Sequence, residues 1–146
     1  MLYKEFLTTI TTCPFCEPIA NEVIAENEKA FLTYSIAPYH KHHIMVVPRR
    51  HTTNFKELDS EEVKCIEDLL HAGAILLEAL NYSDYTILVR NGKNVGKSIA
   101  HIHYHIVPSI NIGDLDHYKE ERRILTANEI KELLDEFKKA KSSTQG

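Results

Sequence analysis

The sequence predicts an α+β fold, in which a mainly antiparallel, five-stranded sheet accompanies one long central helix and a C-terminal helix. Two observations indicate this class. Short runs with the composition of strands outnumber helical segments, and only one long helical pattern separates these runs along the chain. The 146 residues fit a single domain. We expect this domain to span residues 1–140, with the polar residues 141–146 as a frayed tail.

Five segments have the composition and the boundaries of strands. The first two flank a Glu-Asn-Glu turn, the third ends at Pro48, the fourth is closed by the turn dipeptide Asn91-Gly92, and the fifth ends at Pro108. The predicted strands are residues 23–26, 29–36, 43–48, 85–90 and 101–107.

The long helix is predicted over residues 59–80. Asp59 is a good N-cap, and Glu62 follows three positions later, as in a capping box. Leu58 and Val63 have the spacing of a hydrophobic staple. Apolar residues at helical spacing then predict one buried stripe, formed by Val63, Ile66, Leu70, Leu77 and Leu80.

The C-terminal helix is predicted to start at Thr126. Glu129 completes a second capping box, and Leu125 with Ile130 has the spacing of a second staple. The apolar face of this helix is formed by Ile130, Leu133, Leu134 and Phe137.

Composition bounds the classes of partner. Lys plus Arg is 17 and Asp plus Glu is 21, which gives a net charge of −4 and argues against bulk binding to nucleic acid. Neither a signal peptide nor an apolar stretch long enough for a membrane span is found. Three cysteines without a secretion signal indicate a reducing compartment. We therefore expect a cytoplasmic protein without nucleic-acid or membrane partners.

Three histidines alternate along the last predicted strand, which reads H-I-H-Y-H-I-V. Because side-chain direction repeats every two residues, His101, His103 and His105 should share one face, about 7 Å apart in succession. The opposite face, which can pack on a helix, is formed by Ile102, Tyr104 and Ile106.

Three interpretations of this face are open. The histidines are scattered surface residues, or they bind a metal such as zinc, or one of them is a nucleophile that attacks an activated phosphorus. The preceding turn, N-G-K-N-V-G-K-S at residues 91–98, favours a phosphate ligand because its backbone N–H groups can face an anion. It is not a P-loop, since Asn91 occupies the position of the first glycine.

In combination, these motifs resemble the histidine triad (HIT) family of nucleotide-binding hydrolases and transferases. The H-I-H-Y-H-I-V run matches the family signature, and H-I-M-V-V-P-R-R-H at residues 43–51 matches its second anchor. The turn from Asn91-Gly92 to Gly96-Lys97-Ser98 matches the third. The order and spacing of the motifs are those of the family across about residues 13–109.

The resemblance implies a HIT-like fold and a homodimer whose sheet continues across the two subunits. It also implies attack at the α-phosphorus of a purine nucleotide derivative, through a nucleotidyl-histidine intermediate. The candidate substrates are adenosine phosphoramidates, aminoacyl-type adenylates and dinucleoside polyphosphates. A nucleotide-binding or scaffold protein with little turnover and a metallohydrolase that uses the triad as its metal site are the alternatives.

The resemblance also implies roles within the catalytic centre. His103 is the expected nucleophile and His105 the phosphate-binding partner. Ser98 and the backbone around Gly96 are expected to hold phosphate oxygens. His43 and Asn91 are expected to line the site and orient the catalytic imidazole.

The base of the nucleotide is expected to lie against Phe15 and Ile36. Two positions differ from many family members. Lys97 stands where Gln is common, and we expect this cation to touch a substrate phosphate and to favour anionic leaving groups. Ser35 stands where Asp or Asn often contacts ribose, so the ribose contact here has a shorter side chain.

A C-P-F-C sequence provides Cys13 and Cys16, which alone are half of a tetrahedral zinc site. Some HIT proteins bind a structural zinc through such a pair, the His after the Pro-basic-basic run and the first His of the triad. Those positions are His51 and His101 here. We therefore expect a structural zinc and no organic cofactor.

His40 and His42 are interpreted as solvent-exposed or rim positions.

Overall fold

The computed structural model describes residues 1–92, 97, 99–110 and 122–144. Within these ranges the chain forms five strands and three α-helices. The strands are β1 Val23–Glu26, β2 Ala30–Tyr34, β3 Ile44–Pro48, β4 Tyr85–Val89 and β5 Tyr104–Pro108. The helices are α1 Tyr3–Leu7, α2 Ser60–Ala79 and α3 Ala127–Thr144.

The five strands form one sheet in the order β1-β2-β3-β5-β4, and every neighbouring pair is antiparallel. The α+β class and the five-stranded antiparallel sheet predicted from the sequence are confirmed. The central strands β2 and β3 are buried at all positions. The edge strand β4 leaves Tyr85 and Ile87 more than two-fifths exposed.

The main core lies between α2, α3 and one face of the sheet. Gly73 brings α2 close to this face, because a Cβ atom at this position would lie 2.7 Å from Cδ1 of Ile106 and 3.2 Å from Cδ1 of Ile44. A second apolar cluster, formed by Phe31, Met45 and Val47, lies apart from that core.

The capping box that begins α2 is present. The Asp59 carboxylate accepts a hydrogen bond from the N–H of Glu62 at 2.8 Å, and the Glu62 carboxylate accepts one from the N–H of Asp59 at 3.1 Å. The predicted stripe is wrong at Val63, which is 45% exposed, whereas Glu62 is buried. Each residue turns about 100° around a helix, so Val63 leaves the face that Glu62 and Ile66 share.

The start of α3 is also as predicted. Thr126 and Glu129 exchange hydrogen bonds between side chain and backbone at 2.9 and 3.2 Å. Leu133 and Phe137 of the predicted apolar face are buried. The helix continues through Thr144, four residues into the segment predicted as a frayed tail, and the Lys141 ammonium donates to the carbonyl of Ile24.

The triad strand begins later than predicted, at Tyr104, so His101 and His103 precede β5. The physical reason is a change of backbone partner. β3 pairs with β5 only from Ile44 to Val46, and the N–H of Ile102 donates instead to the carbonyl of Thr52 at 2.8 Å. The regular alternation of side chains therefore does not extend across all three histidines.

The short helix α1 has no counterpart in the sequence predictions. At five residues it is below the length at which a helix is stable alone. Its start is held by the chain beyond the triad, since the N–H of Tyr3 donates to the carbonyl of Arg122 and the N–H of Ile124 donates to that of Met1. None of the helices in the described residues is both long and apolar enough to cross a membrane.

Candidate functional site

A cavity of about 450 Å³ lies on the sheet face that carries Phe31 and Met45. These two side chains and Phe15 give it apolar walls, while His103 and His105 give it a polar side. The strands β2 and β3 therefore supply the floor. The segment between α1 and β1 supplies a wall.

The imidazole of His103 is held by the chain itself. Its Nδ1–H donates to the backbone carbonyl of His101 at 2.9 Å. Because a carbonyl only accepts, this bond assigns the proton to Nδ1 and leaves a lone pair on Nε2. Burial lowers the pKa of His103 to about 4, so the ring is neutral near pH 7. The ring of Phe15 lies 5.0 Å from it, measured between centroids.

The imidazole of His105 has the opposite tautomer, which a chain of hydrogen bonds determines. The backbone N–H of Tyr39 donates to Nδ1 of His43 at 3.2 Å, so the proton of His43 lies on Nε2. That Nε2–H donates to Nδ1 of His105 at 2.9 Å. The remaining proton of His105 therefore lies on Nε2.

Both imidazoles in this chain of hydrogen bonds, His43 and His105, are neutral. Burial, followed by the positive charge of Arg122, lowers the pKa of His43 to about 3. Burial and the neighbouring His43 and His103 lower the pKa of His105 well below its usual value. Protonation of any one of these rings would place a charge beside the others in a dehydrated site.

The two imidazoles at the cavity have complementary chemistry. The ring centroids of His103 and His105 lie 4.7 Å apart. One ring has an unprotonated Nε2 and the other a protonated Nε2. Such a pair can attack an electrophilic centre with one nitrogen and donate a hydrogen bond to an oxygen on that centre with the other.

A second cluster brings together four metal-ligating atoms: the sulfurs of Cys13 and Cys16 and Nδ1 of His51 and His101. All lie within 4.8 Å of one another. The Nδ1 of His51 is 3.1 Å from the sulfur of Cys16, and the Nδ1 of His101 is 3.4 Å from that of Cys13. Two thiolates and two imidazoles are a donor set of the structural zinc type.

The outer contacts of this cluster fit a metal as well. Nε2–H of His101 donates to the carbonyl of Pro48 at 2.7 Å, which leaves the Nδ1 lone pair on the cysteine side. Burial lowers the pKa of His101, and a neutral ring is what a metal requires. The residues present therefore fit zinc.

The structure brings most of the sequence-predicted site residues together. Phe15, Ser35 and Ile36 line the cavity with His103 and His105. His43 is fully buried behind His105 and orients that ring, whereas the ring of the expected nucleophile is oriented by the carbonyl of His101.

Four predicted residues lie elsewhere or outside the described ranges. Gly96 and Ser98 are outside them. The side-chain oxygen of Asn91 accepts a hydrogen bond from the N–H of Phe55 at 2.7 Å, and the Lys97 ammonium donates to the carbonyl of Thr53 at 3.0 Å. Neither of these two side chains is among the described residues that line the cavity.

The basic pair of the P-R-R-H motif is structural. Arg49 donates to the carboxylate of Glu26 at 2.6 Å. Arg50 donates to both carboxylate oxygens of Glu62, at 2.6 and 3.1 Å. The following residue, His51, lies in the metal-ligating cluster.

Several cavity residues were missed by the sequence analysis. Phe31 shares a strand face with Thr33 and Ser35, a period of two that could have identified it. Arg90 and Arg122 also line the cavity. Arg122 lies beyond the triad motif, and no local pattern distinguishes it.

The prediction that His42 lies in solvent or at a rim is wrong. His42 is buried, with Nδ1 2.6 Å from the hydroxyl of Tyr82 and Nε2 2.7 Å from the carboxylate of Glu136. Its ring also packs edge-on against Phe137. These partners lie 40 and 94 residues away in the chain, so no local pattern could indicate them.

Comparison with known protein families matches residues 17–112 to the HIT domain. An uncharacterised HIT-like protein of Methanocaldococcus jannaschii is 29% identical over 87% of this chain and 96% of its own length. A mouse adenosine 5'-monophosphoramidase is 32% identical over 68% of this chain and 65% of its own. A bis(5'-adenosyl)-triphosphatase of Dictyostelium discoideum is 27% identical, over 60% of each chain.

Solved structures give the same fold. A hypothetical histidine triad nucleotide-binding protein of Sulfolobus tokodaii superposes with a TM-score of 0.74 at 20% identity, over 91% of this chain and 94% of that one. A zinc-bound histidine triad family protein of Mycobacterium smegmatis superposes with a TM-score of 0.67 at 23% identity, over 92% of this chain and 96% of that one.

Proposed function

The chain belongs to the HIT domain family, and from this premise we propose that it is a nucleotide hydrolase or transferase acting at the α-phosphorus of purine nucleotide derivatives. Its relatives include enzymes named as an adenosine 5'-monophosphoramidase and a bis(5'-adenosyl)-triphosphatase. The observation that carries the proposal is the pair of opposite tautomers at His103 and His105.

In the first step, the Nε2 lone pair of His103 forms a bond to the α-phosphorus. The bond from phosphorus to the leaving group breaks, and the leaving group departs with its electron pair and takes a proton from solvent. His103 then carries the nucleotidyl group. The bond from Nδ1–H to the carbonyl of His101 stabilises the positive charge that develops on the ring.

In the second step, water attacks the same phosphorus and loses a proton to solvent. The nitrogen–phosphorus bond breaks, and its electron pair returns to Nε2 of His103. The Nε2–H of His105 donates to a phosphoryl oxygen in both steps, because His43 keeps that proton in place. With another acceptor in place of water, the same intermediate gives a transferase.

The remaining contacts assign the nucleotide. We infer that the base lies between Phe15 and Ile36, with Phe31 and Met45 beneath it, since these side chains are among the apolar residues that line the cavity beside His103 and His105. Ser35 lines the same cavity, and we propose that it contacts the ribose. Gly96 and Ser98 remain the proposed phosphate-binding residues of the turn before the triad.

We propose that Cys13, Cys16, His51 and His101 hold a structural zinc, as the donor set and spacing support. The metal would supply a cross-link between the C-P-F-C segment and the start of the triad, not a reacting group. Thiols persist most readily in a reducing compartment, and we therefore propose the cytoplasm as the location.

A homodimer through the edge strand β4 is also proposed. Tyr85 and Ile87 on this strand are exposed, and so is Phe55 nearby in the fold, which contacts Tyr104 of the adjacent strand. An exposed, apolar edge strand is a template for pairing with a second copy.

The metallohydrolase alternative has weaker support. His101 directs Nδ1 to the cysteines, His103 uses Nδ1 for a backbone carbonyl, and His105 uses Nδ1 for His43. A metal shared by all three rings would require new orientations for each.

The test is turnover of an adenosine phosphoramidate and of a dinucleoside polyphosphate by the wild-type protein and by His103→Ala. The matched control is His71→Ala, an exposed histidine on α2. We expect wild type and control to turn over at least one substrate, with a nucleotidyl adduct detected by mass spectrometry after acid-free quenching.

The variant His103→Ala should bind AMP and lose both turnover and adduct. Turnover retained in His103→Ala would refute the proposed nucleophile. AMP binding without turnover in the wild type would favour the scaffold alternative.

A further inference from the structure

A buried polar cluster lies on the helix side of the turn before β3, and the proposed reaction does not use it. At its centre is His42, which is 6% exposed. Nε2 of His42 is 2.7 Å from a carboxylate oxygen of Glu136 on α3, and Nδ1 is 2.6 Å from the hydroxyl of Tyr82. Among the described residues, neither His42 nor Glu136 lines the cavity or belongs to the metal-ligating cluster.

Both nitrogens of His42 are therefore bonded, and the partners define its tautomer. A carboxylate only accepts, so the proton of the neutral ring lies on Nε2, and the Tyr82 hydroxyl donates to Nδ1. The ring also packs edge-on against Phe137, with centroids 5.6 Å apart. Two hydrogen bonds and one ring contact thus hold this imidazole in a single orientation against α3.

Glu136 binds two successive residues of the turn. Its other carboxylate oxygen lies 3.2 Å from the ammonium of Lys41. The Lys41 side chain is mostly exposed, so this ion pair contributes less than the buried bond to His42. The bond from His42 to Glu136 is therefore the main link between the turn and α3.

The turn that contains His42 is closed by its own histidines. The N–H of His42 donates to Nδ1 of His40 at 3.0 Å, and the N–H of His43 donates to the carbonyl of His40 at 2.9 Å. The N–H of Tyr39 donates to Nδ1 of His43 at 3.2 Å. These bonds join residues 39–43 into one unit, so His43 shares any displacement of His42.

His43 is the residue through which such a displacement reaches the cavity. It follows His42 directly in the chain, and its Nε2–H donates to Nδ1 of His105 at 2.9 Å. A hydrogen bond weakens steeply as its angle departs from the preferred range. The bond that keeps a proton on Nε2 of His105 therefore depends on how the turn is held.

We propose that Glu136 is a positioning residue for the reaction. By holding His42 against α3, it keeps the turn where His43 can donate to His105. The inference rests on the proposed function, because it concerns the bond by which His105 presents its Nε2–H to a phosphoryl oxygen. Glu136 acts through the turn and has no contact with substrate.

A merely structural role is the alternative. In that case Glu136 would attach α3 to the fold, and its removal would change stability without changing the bond between His43 and His105. A control that destabilises the same helix from elsewhere separates the two roles. Leu133 is suitable, because it is buried in the main core on α3.

The kinetic experiment measures kcat and KM for adenosine phosphoramidate at a temperature where thermal melts show each variant to be folded. We expect Glu136→Ala to lower kcat by about fivefold or more, with KM within about twofold of wild type. Glu136→Gln should retain most of kcat, since its amide carbonyl still accepts from Nε2–H of His42. Leu133→Ala and Glu132→Ala, an exposed carboxylate on α3, should retain kcat.

The spectroscopic experiment needs no substrate. It measures the nitrogen–nitrogen scalar coupling across the hydrogen bond from Nε2 of His43 to Nδ1 of His105. The coupling should be present in wild type, Glu136→Gln and Leu133→Ala, and it should be weakened or lost in Glu136→Ala. If Glu136→Ala does not fold, Glu136→Asp replaces it, because its carboxylate is one methylene shorter and withdraws from His42.

An unchanged coupling in the folded Glu136 variant would overturn the inference, and so would an equal loss in Leu133→Ala. A coupling absent from the wild type would overturn it too. These outcomes leave the proposed function intact. If the wild type turns over no substrate, the proposed function fails, and the coupling still decides whether Glu136 positions His43.

Discussion

Nε2 of His43 donates to Nδ1 of His105 at 2.9 Å, so an imidazole with no access to the cavity determines which nitrogen its neighbour presents there. Tyr39 extends this relationship by one bond, since its backbone N–H fixes the proton of His43. The hydrogen-bonding face that His105 presents to the cavity is therefore set by the turn before β3 as much as by the triad itself.

Removing the orienting ring should misplace His105. We expect His43→Ala to lower kcat for an accepted substrate by about 10- to 100-fold. His43→Gln should recover part of this loss, since its amide can donate to the same nitrogen. Nitrogen NMR of His105 should show the Nδ1-unprotonated tautomer in wild type and a mixture in His43→Ala. Identical kinetics of the two variants would contradict an orienting role.

The buried His43 should make stability depend on pH. Its pKa is about 3 in the fold and about 6.5 in the unfolded chain, so the unfolded state binds more protons between these values. The free energy of unfolding should then fall as pH is lowered from about 6.5, by up to about 1.4 kcal/mol per pH unit from this group. The free energy of unfolding, measured with urea at a series of pH values, should depend less steeply on pH in His43→Gln than in wild type. Equal slopes would contradict the assignment.

Zinc should be part of the folded protein. Protein purified without chelator should contain close to one equivalent of zinc per chain, and Cys16→Ser should lose most of it, because two thiolates and two imidazoles complete the site. Cys65→Ser, outside this cluster, is the control and should retain the metal. Zinc content by mass spectrometry below a tenth of an equivalent would refute the site. The melting temperature should fall on chelation.

The hydrogen bonds of His42 should hold α3 on the rest of the fold. His42→Ala leaves the Tyr82 hydroxyl and the Glu136 carboxylate without this partner and should lower the free energy of unfolding by about 1 to 3 kcal/mol. His71→Ala, on an exposed face of α2, should stay within about 0.5 kcal/mol of wild type. Chemical denaturation measures both. Equal stability of the two variants would argue against a stabilising role for the hydrogen bonds of His42.

Much of the fold was predictable because its signals are local. Both capping boxes, the strand runs and the apolar faces depend on residues a few positions apart, and the structure contains them. The failures have non-local causes. β5 starts late because Ile102 bonds to Thr52, and His42 is buried because its partners lie on α3 and before β4.

The sequence by itself determined the α+β class, through its local strand and helix patterns. It also determined the family, because the alternating histidines, the P-R-R-H anchor and the glycine turn occur in the order and at the spacings of that family. It also identified Cys13, Cys16, His51 and His101 as a set, and the fold brings their donor atoms within 4.8 Å. Only the tertiary structure decided which nitrogen of each imidazole carries the proton and which cations face the cavity. The physical reason is that a tautomer depends on the partner of the other nitrogen, and those partners are backbone carbonyls and rings brought together by folding.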